Sequence, residues 1–165
     1  MVEALVVTRR SSKRGTTEAV HCRSRCEERG PPCRKRVSPH AMTPIHTHDA
    51  PVPAGHYAQG IAHNGTLYVA GQLPIDPAHP DAPHGDIAAQ TERALANVEA
   101  ILLAAGSSLA QLLSVTVYVT DVALWPTVNE VYARVLGDHR PARAVVPVPT
   151  LHHGYLVEIQ AVAAV

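Results

Sequence analysis

The chain changes character at Met42, and this break constrains its folding more than any other feature. Residues 1–41 carry ten basic and four acidic residues, a net charge of +6, together with all three cysteines (Cys22, Cys26, Cys33). Residues 42–165 carry four arginines, no lysine and ten acids, a net charge of −6. The neutrality of the whole chain is a cancellation between two kinds of sequence. Runs such as Arg9-Arg10-Ser11-Ser12-Lys13-Arg14 and Gly30-Pro31-Pro32-Cys33-Arg34-Lys35-Arg36 have high charge and little periodic apolarity. Such composition cannot bury enough apolar surface to offset the entropy of ordering. Residues 1–41 are therefore expected to form a basic, disordered N-terminal extension, with Met42 reading as a natural start and residues 42–165 as one folded domain. The spacing Cys22-x3-Cys26-x6-Cys33, with His21 and His40 nearby, admits a zinc reading. It lacks the CxxC pair and the second paired half of a structural zinc site. Val2 to Val7 is too short for a secretory signal, and four glutamates argue against a mitochondrial transit peptide.

The same numbers exclude several function classes. No run of about eighteen apolar residues exists, so no membrane-spanning helix is expected and the product reads as a soluble cytoplasmic domain. The folded part has no basic surplus with which to neutralise phosphates, which disfavours nucleic acid as a partner. It has no cysteine, so a thiol nucleophile, a core disulfide and a thiolate metal site are all absent there. Phe is missing from the chain, leaving Val, Ala, Leu and Ile to fill the core.

Turn residues then divide the domain into short periodic segments. Asn64-Gly65 between Gln59–His63 and Thr66–Leu73 is a strong hairpin signal. A proline-rich loop runs from Pro74 to Gly85, after which Asp86 caps a helix with Ile87, Ala94, Leu95, Val98, Ile101, Leu102 and Ala105 at helical spacing. Gly106 ends it. Leu112 to Thr120 alternates as a strand. Asp121 opens a second helix with Leu124, Val128, Val131 and Val135 on one stripe, ended by Gly137. Strands at 142–148 and 155–163 close the chain. The order β-β-α-β-α-β-β predicts an α+β domain, a single mixed sheet with two helices on one face. On the other face Tyr68, Ser114, Thr116, Tyr118, Glu158, Gln160 and Val162 are too mixed for a core and too apolar for open water. An oligomer interface is the economical reading.

With four arginines in the domain, each is informative. Arg93 and Arg134 flank helical apolar stripes and read as solvated, and Arg140 reads as an exposed or structural loop residue. Arg143 stands near the start of a strand of small apolar residues, where an unpaired charge is costly. Glu158, fifteen residues on in what reads as the neighbouring strand, is its natural partner. Spacing leaves two readings open: a structural Arg143–Glu158 ion pair, or separate roles in which Arg143 clamps a small carboxylate and Glu158 activates a water. Nine histidines, including His46-Thr47-His48 and His152-His153, show no metal-binding pattern such as HExxH, so no metal is expected. The sequence signals of nucleophile-elbow hydrolases, P-loops and dinucleotide-binding folds are missing as well.

Seven segments in order resemble the RidA family, the YjgF-like reactive-intermediate (enamine/imine) deaminases. They are Gly55-His56-Tyr57-Ala58-Gln59-Gly60, Val69-Ala70-Gly71-Gln72-Leu73-Pro74, Gln90 to Gly106, Val115 to Asp121, Val128-Asn129-Glu130-Val131-Tyr132, Arg140-Pro141-Ala142-Arg143-Ala144 and Val157 to Ala163. They span residues 42–165, making this a RidA-like domain; the extension lies outside. The resemblance implies a chorismate-mutase-like fold and a homotrimer with clefts between subunits. It implies that Arg143 binds the substrate carboxylate, that Glu158 orients the hydrolytic water, and that Tyr57, Gly71 and Asn129 line the site. Tyr57 should then meet Arg143 across an interface. Many members have Pro at His56, Cys at Val145 and Glu at Gln160. No thiol role therefore carries over to this chain.

The implied activity is cofactor-free hydrolysis of 2-enamine/2-imine acids, such as 2-aminoacrylate and 2-iminopropionate, to 2-keto acids and ammonia. Three alternatives remain at this level. One is a non-catalytic trimer that binds or senses small 2-keto acids, and another is an RNA-directed activity assisted by the basic extension. The third is an enzyme for a larger substrate, with the Pro74–Gly85 loop setting specificity.

Overall fold

The computed structural model describes residues 41–165. The expectations for the basic extension, including the zinc reading of Cys22, Cys26, Cys33, His21 and His40, fall outside the described residues. Six strands and two helices follow in the order β1 (Thr43–Ile45), β2 (Gly60–His63), β3 (Thr66–Gln72), α1 (Ile87–Ala104), β4 (Leu112–Val119), α2 (Trp125–Leu136), β5 (Ala142–Pro147) and β6 (Val157–Ala164). The strands form one mixed sheet in the order β1-β2-β3-β6-β4-β5. Both helices supply side chains to a single buried cluster on one of its faces. This is the α+β, chorismate-mutase-like arrangement expected, with one strand added. β1 escaped the sequence because three residues carry no periodicity and one is Pro44, which suits an edge strand lacking one ladder donor.

Local chemistry explains the boundaries. Asn64 and Gly65 adopt φ of 51° and 76°, the paired positive values of a type I′ hairpin turn. The Asp86 carboxylate accepts the Ala89 amide at 2.8 Å, capping α1. Asp121 likewise accepts the Ala123 amide at 2.8 Å, but it caps a single 3₁₀ turn at Val122–Leu124. α2 itself begins at Trp125, with Pro126 in its first turn, where a missing N–H costs nothing.

The order of the last strands corrects one expectation. β6 lies between β3 and β4, antiparallel to both, while β5 pairs in parallel with the far side of β4. The α2 crossover dictates this, since a helix joining β4 to β5 returns the chain in the same direction. The strands of Arg143 and Glu158 are thus separated by β4. Register separates the side chains further. Arg143 stands opposite Val115, which is buried under the helices, whereas Glu158 stands opposite Tyr118, three residues along β4. Alternation then puts Arg143 on the helix-covered face and Glu158 on the opposite one.

That opposite face collects the residues singled out above. Tyr68 stands beside Val162, and Val162 beside Ser114; Thr116 faces Gln160 and Tyr118 faces Glu158. Tyr68 is 53 % exposed. The Tyr118 hydroxyl donates to Gln160 Oε1 at 3.3 Å. No helix among the described residues is long and apolar enough to cross a membrane.

Candidate functional site

The expected site residues fall into two groups. The first surrounds Arg143. Its guanidinium carbon lies 4.8 Å from the centroid of the Trp125 ring and 4.5 Å from that of Tyr132. Its Nη2 donates to the Asn129 side-chain oxygen at 3.0 Å. Trp125, Asn129 and Tyr132 stand at i, i+4 and i+7 on α2, so one helical stripe presents two ring faces and an amide to the same cation. Cation–π contact of this kind contributes about 1 kcal/mol per ring, more where water is excluded. The Arg143–Glu158 ion pair does not form. The ion pairs among the described residues join Asp76 with His79, Asp76 with Arg93, and Glu92 with Arg134. Arg143 is therefore held in place without a carboxylate partner, leaving the other edge of its fork for a ligand. Burial raises the Tyr132 hydroxyl above its usual range, with Arg143 pulling the other way, so the ring stays neutral beside the cation. This group opens on a cleft of about 440 Å³ lined by Asn129, Tyr132, His139, Arg140 and Arg143 among others.

The second group surrounds Gly71. The β3 ladder is irregular between Val69 and Gln72, and the Glu158 carboxylate packs directly over the α-carbon of Gly71. A Cβ there would overlap the Glu158 side chain. Glycine at this position is thus a matter of space for the acid. Gly71 shares a cleft of about 340 Å³ with Tyr57, Pro51, Val52, His152 and His153. Tyr57 is 54 % exposed, its ring unclaimed by the chain's own core.

Polar side chains of the core hold this second cleft in shape. Buried Gln59 accepts the Thr47 amide at 2.8 Å and donates to the carbonyls of Thr47, Ala50 and Pro51, fixing the segment that supplies Pro51 and Val52. Asn97 on α1 donates at 2.9 Å to the carbonyls of Leu73 and Ile75, both of which line the cleft. Gln90 accepts the Leu156 amide at 2.9 Å, setting the approach to β6 and Glu158.

Sequence reasoning missed Trp125, Tyr132, Gln59 and Asn97. The spacing of Trp125, Asn129 and Tyr132 was the available signal for the first two, overshadowed by the aliphatic stripe beside it. For Gln59 and Asn97 no local signal exists, since their partners lie 8–13 and 22–24 residues away. The histidines gather into no group of three metal-ligating side chains among the described residues.

The geometry describes a small α+β domain with a preset guanidinium on one face of its sheet and a carboxylate on the other. The family model described as Endoribonuclease L-PSP matches residues 47–165. The RutC family protein PH0854 of Pyrococcus horikoshii is 45 % identical over 119 residues, covering 72 % of this chain and 94 % of that protein. The 2-iminobutanoate/2-iminopropanoate deaminase of Bos taurus is 38 % identical over 119 residues, covering 72 % and 87 %. Among solved structures, Escherichia coli TdcF with bound serine superimposes with a TM-score of 0.71 at 34 % identity, over 74 % of this chain and 98 % of that one. The chain belongs to the YjgF/RidA family.

Proposed function

We propose that the protein is a hydrolytic deaminase of 2-enamine/2-imine acids, working as a homotrimer with its sites between subunits. The observation that carries this reading is Arg143, clamped by Trp125, Tyr132 and Asn129 with no carboxylate of its own. In the proposed reaction its guanidinium takes the substrate carboxylate as a bidentate pair. Glu158 of an adjoining subunit holds a water against the imine carbon and takes its proton as the new C–O bond forms. That proton passes to the nitrogen, giving a neutral carbinolamine. Its hydroxyl proton then also passes to the nitrogen through Glu158, the C–N bond breaks to release ammonia, and the carbonyl of the 2-keto acid is left. An enamine enters the same path after gaining a proton at its terminal carbon. Imine hydrolysis is fast in water, so positioning supplies most of the acceleration.

Arg143 and Glu158 stand on opposite sheet faces of one chain, so the reading needs two copies to bring them to one small ligand. The exposed face bearing Tyr68 and Tyr118 offers the surface for that assembly. The bovine relative's deaminase name and the serine bound to TdcF fit a small carboxylate ligand. An RNA-directed activity lacks support in the described domain, where ten acids outnumber four arginines.

The test couples an amino-acid oxidase to the protein and follows the lifetime of the released 2-iminopropanoate. Wild type is expected to shorten it and Arg143→Ala to leave it at the uncatalysed value. Saturable binding of 2-keto acids without any shortening would replace the deaminase reading with that of a binding or sensing trimer.

A further inference from the structure

We infer that the preferred substrate carries a second carboxylate, a 2-imino dicarboxylate of four or five carbons, with Arg140 holding the distal group. The reaction assigned here rests on the deaminase reading; the ligand's charge rests on the cleft alone. Residues 42–165 contain four cationic side chains other than histidine. Arg93 lies 3.6 Å from the Asp76 carboxylate and Arg134 lies 3.3 Å from that of Glu92. Arg140 and Arg143 enter no ion pair among the described residues, and both line the same cleft of about 440 Å³. No acid is among its lining residues, although Asp138 is close in sequence. A domain with a net charge of −6 thus places two unmatched guanidiniums around one cavity. Two like charges facing one cavity disfavour each other unless an anion sits between them. A monocarboxylate matches one of them; a dicarboxylate matches both.

Arg140 is also restrained where it stands. Pro141 follows it and confines its backbone to the extended region. The loop beneath it is tied twice through His139, whose amide donates to the Leu136 carbonyl at 3.2 Å and whose Nε2 lies 2.8 Å from the Leu112 carbonyl. Arg140 is exposed, in keeping with its reading as an exposed or structural loop residue. The cleft it shares with Arg143 was not legible, because it exists only once α2 and β5 are brought together.

The experiment compares the full chain with Arg140→Gln on two classes of imine released by amino-acid oxidases. These are the dicarboxylates 2-iminosuccinate and 2-iminoglutarate and the monocarboxylate 2-iminobutanoate. Wild type is expected to favour the dicarboxylates in kcat/KM. Arg140→Gln should lower the ratio of dicarboxylate to monocarboxylate kcat/KM by about tenfold or more, mainly through KM, since one charge-assisted pair is lost. Arg140→Lys should recover part of it. A wild type that favours the monocarboxylate, or a ratio unchanged by Arg140→Gln, overturns the proposal. Calorimetric binding of 2-oxoglutarate and 2-oxobutanoate separates it from the deaminase reading. If no imine is hydrolysed but 2-oxoglutarate binds more tightly than 2-oxobutanoate, and Arg140→Gln removes the difference, the ligand class stands while the reaction falls. Equal binding of the two keto acids overturns the ligand class as well.

Discussion

Arg143 is a charge on the helix-covered face of a sheet, tolerated because two aromatic faces and an amide oxygen surround it. Trp125→Ala removes one of those faces. We expect the KM for a carboxylate substrate to rise about fivefold, the kinetic equivalent of about 1 kcal/mol of cation–π contact, with kcat nearly unchanged. Gly71→Ala acts on the other half of the site. Its new methyl meets the end of the Glu158 side chain rather than backbone, so the chain should fold with little loss of stability. The carboxylate must shift, and kcat should fall by about tenfold or more, because positioned acid–base groups contribute factors of this size. A Gly71→Ala variant with full activity would show that the position of Glu158 is immaterial. Arg143 was legible in the sequence because cations are scarce and its strand is otherwise small and apolar. Its partner was not. Glu158 was the acid on what read as the neighbouring strand, and only the parallel return of β5 shows that the two point away from each other.

At the scale of elements, α1 is both core and scaffold. Leu95, Val98, Ile101 and Leu102 bury its apolar stripe, and this much followed from 3.6-residue periodicity. Thr91 and Asn97 on the same helix are also fully buried, and periodicity gave no reason to expect polar groups there. Asn97→Ala leaves the Leu73 and Ile75 carbonyls without that donor, at a cost of about 2 kcal/mol or more in a denaturation midpoint. The same variant should raise KM, because those residues line the Tyr57 cleft. Asp86→Ala, which removes only the cap of α1, should cost about 1 kcal/mol and leave KM unchanged. The contrast distinguishes a helix that merely folds from one that shapes a site. Hairpin, helices and long strands were legible because turn chemistry and apolar period agree in each. β1 was not, since its pairing with β2 is a tertiary event.

For the molecule as a whole, two buried tyrosines set an alkaline limit. Burial raises the ionisation of both Tyr132 and Tyr155 above the ordinary value of 10.0. The unfolded chain ionises first as pH rises. The stability these rings contribute is therefore complete below about pH 10 and is lost above it, as pH approaches their folded values. Thermal unfolding followed between pH 8 and 11 should show this fall, and the double variant Tyr132→Phe, Tyr155→Phe should flatten it. An unchanged slope would mean that other groups dominate. The face bearing Tyr68, Ser114, Tyr118 and Val162 was recognised from alternation as neither core nor open surface, but no sequence pattern states what covers it. In the proposed trimer it is covered by other copies, and this is what brings Arg143 of one chain to Glu158 of another.

Co-expression of Arg143→Ala with Glu158→Gln tests that arrangement most directly, with hydrolysis of 2-iminopropanoate as the readout. Each variant alone should be inactive. Random mixed trimers should recover about a quarter of wild-type activity, because one site in four then draws an intact Arg143 and an intact Glu158 from neighbouring copies. Activity in Arg143→Ala alone, or no recovery in the mixture, would contradict a site shared between subunits.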